Sequence, residues 1–223
     1  MKEFKVKHQG ENLFFYFPYA GSADLQSLAK QMNLSAVTFP TFSQTVSLIY
    51  EAHNQPDHPI AKSILESLSH AGEGLTSMTL VRGMKDYIQI IEGKDLQYEF
   101  KIHSLQELAE KGILEHKNNT IRTSSYGRND NNLGPLELER NEYINKIAGD
   151  EGAKKIAELV AYSNKPAEIT QPYQDQVGAA IIRKYDGKFE ISFGAADHRV
   201  FGYMPWRSNK QKSLVSRLIR GKK

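Results

Sequence analysis

Three short stretches bring together side chains that can move protons or hold anions. The first is Asp197-His198-Arg199, inside the run Gly194-Ala195-Ala196-Asp197-His198-Arg199-Val200-Phe201-Gly202-Tyr203. An imidazole exchanges a proton near neutral pH, a guanidinium fork holds an anionic group, and the small residues ahead of them let a ligand approach the backbone. His198 and Asp197 are the candidate catalytic residues here and Arg199 the candidate ligand anchor. The chemistry would be that of a hydrolase or transferase acting on an anionic small molecule. The competing reading is a polar loop joining a hairpin to a last aromatic strand, since neighbours on a strand face opposite ways and adjacency alone makes no dyad.

The second stretch is Glu115–Gly134, twenty residues with five Asn and few apolar side chains. Arg122, Tyr126 and Arg128, with the hydroxyls of Thr120, Thr123, Ser124 and Ser125, supply donors suited to an anion or a nucleotide. A loop of that length is uncommon inside a compact domain and is either functional or disordered. Its composition favours a solvated loop. The third stretch holds Glu51, His53, Asp57 and His58 around Pro56. These are metal-compatible side chains. Capping explains them more simply, with Asp57 as a helix N-cap and His58 in the first turn, so no metal site is assigned.

Other chemistries are removed by what the sequence lacks. It has no cysteine, which excludes disulfide scaffolds, thiolate metal sites and cysteine nucleophiles. It has no phosphate-loop, His-Glu-x-x-His, Gly-x-Ser-x-Gly or EF-hand pattern. Gly72-Glu73-Gly74 is a fragment of a dinucleotide fingerprint, but it follows a helix and lacks the third glycine. No cofactor is therefore expected.

Charge supplies a different lead. Of 223 residues, 29 are Lys or Arg and 26 Asp or Glu, a net charge of +3. Residues 207–223 hold seven of the cations and no acid, which leaves −4 for residues 1–206. Arg207, Lys210, Lys212, Arg217 and Arg220 are the candidate partner-binding residues. Leu214, Val215, Leu218 and Ile219 fall on one side at helical spacing, so the tail reads as basic and amphipathic. Nucleic acid, an anionic membrane surface and an acidic protein all fit it, as does docking on the chain's own acidic body. The aromatic run Phe14–Tyr19 and the set Phe201, Tyr203 and Trp206 invite a base-stacking reading. Core packing is the better reading of Phe14–Phe17.

The elements that must position these residues follow from periodicity. Alternation in Lys2–Lys7, a turn at Gln9-Gly10-Glu11-Asn12 and the apolar run Leu13–Phe17 predict an N-terminal hairpin with a central second strand. Ser22, Thr41 with Gln44, Asp57 with Pro59, and Ser104 with Glu107 predict helix starts. Leu75–Arg82, Tyr87–Glu92 and Leu96–Ile102 predict a three-stranded meander. Pro135 opens a helix running through Ile147, and Gly149-Asp150 stops it and caps the next. Val177–Lys184 and Phe189–Phe193 flank Asp186-Gly187, a type I′ turn that sets Ile182 against Ile191, Ala180 against Phe193 and Arg183 against Glu190.

The expected fold is therefore α+β: a mixed, mainly antiparallel sheet built from the N-terminal hairpin, the meander and the C-terminal hairpin, packed with five to six helices. Residues 1–206 are expected to form one compact domain, with two lobes divided near 104–134, followed by the tail. No stretch has the roughly 20 apolar residues of a membrane span, and no export signal is read, so a soluble cytoplasmic protein is expected. The leading function is a non-catalytic binding or interaction module, with nucleic acid or an acidic protein as the partner of residues 207–223. The alternative is the hydrolase or transferase centred on His198 and Arg199.

Overall fold

A computed structural model describes residues 2–17, 20–23, 38–69, 74–92, 107–108, 119–122, 132–172, 174–194, 198–200 and 203–205. The N-terminal hairpin forms as expected, from β1 (Lys2–His8) and β2 (Glu11–Phe17). Its turn places Gln9 at φ 48° and Gly10 at φ 78°. Two consecutive positive φ values make the turn that matches strand twist, and glycine adopts the second without a Cβ clash. β2 is central because β12 (Tyr203–Pro205) pairs on its far side, with Tyr203 opposite Phe15 and Pro205 opposite Leu13. Pro205 is tolerated because β12 is the edge of this sheet among the described strands.

The remaining strands make a nine-stranded mixed sheet. Its main path runs β3 (Ala20–Ala23), β11 (His198–Val200), β4 (Leu75–Gly83), β9 (Val177–Tyr185), β10 (Lys188–Gly194), β8 (Ala167–Ile169) and β7 (Asn132–Leu133). A branch from β4 carries β5 (Tyr87–Ile91) and β6 (Asn119–Arg122). Most pairs are antiparallel, with β8·β10 and β4·β11 parallel. The β9–β10 hairpin has the expected register, Ile182 against Ile191 and Arg183 against Glu190, around Asp186 at φ 48° and Gly187 at φ 75°.

Four helices lie among the described residues, fewer than the five to six expected: α1 (Phe42–Asn54), α2 (Pro59–Ser69), α3 (Pro135–Arg140) and α4 (Glu142–Ser163). The capping box of α1 is complete. Gln44 N–H donates to Thr41 Oγ1 at 3.3 Å, and Thr41 N–H donates to Gln44 Oε1 at 2.8 Å. α1 also docks by its N-terminus, where Phe42 N–H donates to Thr79 Oγ1 at 2.9 Å. Thr79 lies where β4 slips register against β9 between Thr76 and Leu80. Inside that irregularity Ser77 Oγ donates to Ala180 O at 2.9 Å, so the hydroxyls satisfy backbone that the bulge leaves unpaired.

Several expectations are corrected. Ser22 lies in β3 instead of capping a helix, and the helical residues expected after it fall outside the described set. The cap of α2 is His58 in place of Asp57: its Nδ1 accepts from Ile60 N–H at 3.2 Å and its carbonyl from Lys62 N–H. The helix expected from Pro135 to Ile147 breaks at Asn141, whose side chain accepts from Ile144 N–H at 3.0 Å and starts α4. Within α4, Gly149 sits at φ 70° and ψ 165°, a kink at the expected stop. The segment Glu115–Gly134 contains strands β6 and β7 where a loop was expected. β6, not a contiguous meander strand, takes the free edge of β5, and the expected strand Leu96–Ile102 lies outside the described residues.

α1 packs against α4, α2, β1 and β4, and α2 also packs on β9. One apolar cluster joins these elements, from Phe4 and Phe15 through Phe42, Ile49 and Ile64 to Tyr143, Ile156, Ile182 and Ile191. Leu80, Ile91, Ala179 and Ile181 are also buried, although they lie outside that cluster. No helix among the described residues is long and apolar enough to cross a membrane.

Candidate functional site

The densest polar junction among the described side chains lies where β1, α1 and α4 meet. Alternation along β1 turns Phe4, Val6 and His8 inward. His8 is therefore a buried imidazole beside Ser47 on α1, with Nδ1 to Oγ at 3.0 Å. Lys155, reaching across from α4, donates to Ser47 Oγ at 3.0 Å, to Lys7 O at 3.3 Å and to Glu151 Oε1 at 2.6 Å. An ammonium has three protons, and all three are engaged.

Ser47 Oγ thus accepts from Lys155 and shares a hydrogen bond with Nδ1 of His8. The His8 pKa is lowered from its usual value by burial first and by the Lys155 charge second, with Glu151 and Glu11 opposing. The Glu151 carboxyl is held below its usual range chiefly by its bond from Lys155.

A hydroxyl bonded to an imidazole is the geometry of an activated nucleophile. Here the reacting oxygen is closed off. Ser47 is 1% exposed, sits mid-helix on α1, and already bonds two side chains. The junction acts as a cross-link that ties the N-terminal hairpin to the helix pair. Nothing in the sequence reading singled it out.

The sequence-predicted residues are dispersed. Glu51 accepts from Gln55 Nε2 at 3.3 Å, on the surface of α1. His53 stacks on Tyr162 of α4, centroids 4.9 Å apart and planes at 23°, and its pKa is lowered by burial and then by Lys184. His58 caps α2 and its ring lies 5.1 Å from that of Phe4. Among the described residues no group of three or more His, Asp or Glu is placed to hold a metal ion.

His198 and Arg199 lie in a strand, not in a loop. β11 has β3 on one side, with His198 opposite Ala23, and β4 on the other, with Arg199 opposite Leu75. Arg122 ends β6, opposite Tyr87. Asp197, Tyr126, Arg128 and the tail residues Arg207, Lys210, Lys212, Arg217 and Arg220 lie outside the described residues.

The chain matches no family model, no curated protein and no solved structure. What it does must therefore be argued from its own charges and surfaces. One such surface is the outward side of the three-stranded sheet. Glu3, Lys5 and Lys7 are exposed on β1, opposite Tyr16, Phe14 and Asn12 of β2. Tyr16 donates its hydroxyl proton to Glu3 at 3.3 Å, and its pKa is pushed up to about 12 by burial and by that carboxylate. Lys5 and Lys7 form no ion pair among the described residues.

Proposed function

We propose that this chain is a non-catalytic nucleic-acid-binding protein that contacts phosphate through Arg207, Lys210, Lys212, Arg217 and Arg220. The observation that carries the reading is the division of charge: seven cations and no acid in residues 207–223, against −4 for residues 1–206. A polyanion bound by such a segment releases counterions, which gives affinity without base-specific contacts. The acidic remainder repels the same polyanion and confines contact to the cationic side. The closure of the Ser47 hydroxyl favours a binding role over a catalytic one, because this hydroxyl–imidazole pair, the one found among the described residues, presents no face to a substrate.

The test is fluorescence anisotropy with a labelled 20-mer single strand between 50 and 200 mM KCl. Native protein is compared with a variant carrying Arg207→Gln, Lys210→Gln, Lys212→Gln, Arg217→Gln and Arg220→Gln. Five phosphate contacts to a single strand contribute about 3.5 to the slope of log K against log salt, and the variant loses that share. Equal affinity and equal slope in the two proteins refute the reading.

A further inference from the structure

Among the described strands, β1 is the other edge of the three-stranded sheet: β2 lies on one side of it and no strand on the other. Register decides which backbone groups that open side presents. The turn at Gln9-Gly10, with both residues at positive φ, is closed by His8 and Glu11, the pair that exchanges both hydrogen bonds in a two-residue hairpin. Alternation then makes Val6·Leu13 and Phe4·Phe15 bonded pairs too, and turns the N–H and C=O groups of Glu3, Lys5 and Lys7 away from β2. Lys155 agrees with this parity, because its ammonium donates to the carbonyl of Lys7 at 3.3 Å. The backbone groups of Glu3 and Lys5 bond nothing among the described residues.

The side chains along this edge carry a charge code. Glu3, Lys5 and Lys7 are exposed, while Phe4 and Val6 between them are buried. Lysines on an edge ordinarily discourage a second strand. Here an acid stands two positions from Lys5, so the outcome depends on register. A strand pairing antiparallel with β1 must set outward groups against outward groups. For a second copy of β1 centred on Glu3, carboxylate meets carboxylate. Centred on Lys5 or beyond, lysine meets lysine, and the pairing needs the Lys7 carbonyl that Lys155 already holds. Centred on Phe4, Glu3 of each copy faces Lys5 of the other, four backbone hydrogen bonds form, and neither Lys7 carbonyl is needed. Opposite charges directly across a strand pair stabilise it, and like charges destabilise it.

We infer that β1 is the seam of a homodimer, in which two copies pair antiparallel about Phe4 and join their three-stranded sheets into one. The occupant of the edge is a second copy of this chain because the sequence of the edge is complementary to itself in that one register. Such an interface is isologous and closes at two. It goes beyond the nucleic-acid reading and is independent of it, since no residue of 207–223 takes part.

Sedimentation velocity on the full chain, without nucleic acid, tests the seam. The mass of the native protein rises with concentration from monomer to dimer and no further. Glu3→Lys and Lys5→Glu each turn two attractive pairs into repulsive ones and weaken self-association by about 4- to 800-fold. An equal mixture of the two variants associates as the native protein does, because each then offers the charges the other needs. Lys5→Pro removes an outward N–H that the hairpin does not use. This variant is monomeric, with native hydrogen-exchange protection of Glu11–Phe17.

A native protein that stays monomeric up to about 1 mM overturns the seam, as does growth past the dimer. Association of Lys5→Pro at the native level places the contact elsewhere on the molecule and overturns it too. A mixture of Glu3→Lys and Lys5→Glu that associates no better than either alone overturns the register about Phe4. Loss of Glu11–Phe17 protection in Lys5→Pro overturns the backbone parity on which the register rests. All of these outcomes leave the reading of the tail untouched, and a tail variant that still binds nucleic acid leaves the seam untouched.

Discussion

His8 occupies a position where the alternation of β1 would ordinarily place an apolar side chain, and that placement has a thermodynamic consequence. Its native pKa is lowered by burial and by Lys155. The unfolded chain, with an ordinary histidine near 6.5, then binds a proton more readily than the folded one does. The stabilisation is fully present above pH 6.5 and is lost as pH falls through the depressed native value. Urea unfolding between pH 5 and 7.5 should show this as falling stability on the acid side. His8→Asn keeps an acceptor near Ser47 but does not titrate, so its acid-side slope should be shallower, leaving the part due to His53, which is depressed in the same sense. An undiminished slope would show that the junction does not couple to protonation. The signal for His8 was present in the sequence as a polar residue sharing the parity of Phe4 and Val6. Its partners were not legible, because Ser47 lies 39 residues away and Lys155 a further 108.

At the scale of single elements, what could be read was whatever short-range chemistry decides. The Thr41–Gln44 box and the Asp186-Gly187 turn depend on residues no more than three apart, and both formed as expected. The break at Asn141 is local too, but no glycine or proline marks it, and Ile144 and Ile147 resume helical spacing just beyond it. β6, β7 and β11 were missed for another reason. Each is two to four residues long, too short for alternation to register, and each exists through a partner strand remote in sequence. The same dependence turned the proposed His198 loop into sheet. The kink in α4 yields a prediction at this scale. Gly149 holds φ 70° and ψ 165°, a region essentially closed to other residues. A Cβ there would meet nothing nearer than Ser43 Oγ at 3.9 Å, so the cost is backbone strain, not collision. Gly149→Ala should destabilise by about 1–3 kcal/mol in chemical denaturation. A variant as stable as the native protein would mean that the two halves of α4 tolerate straightening.

For the whole molecule, the pairing order matters more than the number of strands. The two described segments nearest the carboxyl end, β11 and β12, are bound to early and middle segments: β11 lies between β3 and β4, and β12 lies on β2. The basic tail is therefore rooted in the fold through Tyr203–Pro205. Deleting residues 207–223 should leave hydrogen-exchange protection of Glu11–Phe17 unchanged. Deleting 198–223 should lower it, because β2 loses one of its two neighbours and becomes an edge. Equal protection in the two truncations would contradict the β2–β12 pairing.

That pairing also sets an order of events during synthesis. Residues 11–17 leave the ribosome well before residues 203–205, and at about 5–20 residues per second the gap is roughly 10–40 seconds. Throughout that interval Leu13-Phe14-Phe15-Tyr16-Phe17 has one partner strand and one open side. The nascent chain thus carries an unsealed aromatic seam, one that a chaperone can shelter and that neighbouring nascent chains can join, until Tyr203–Pro205 arrives to close it.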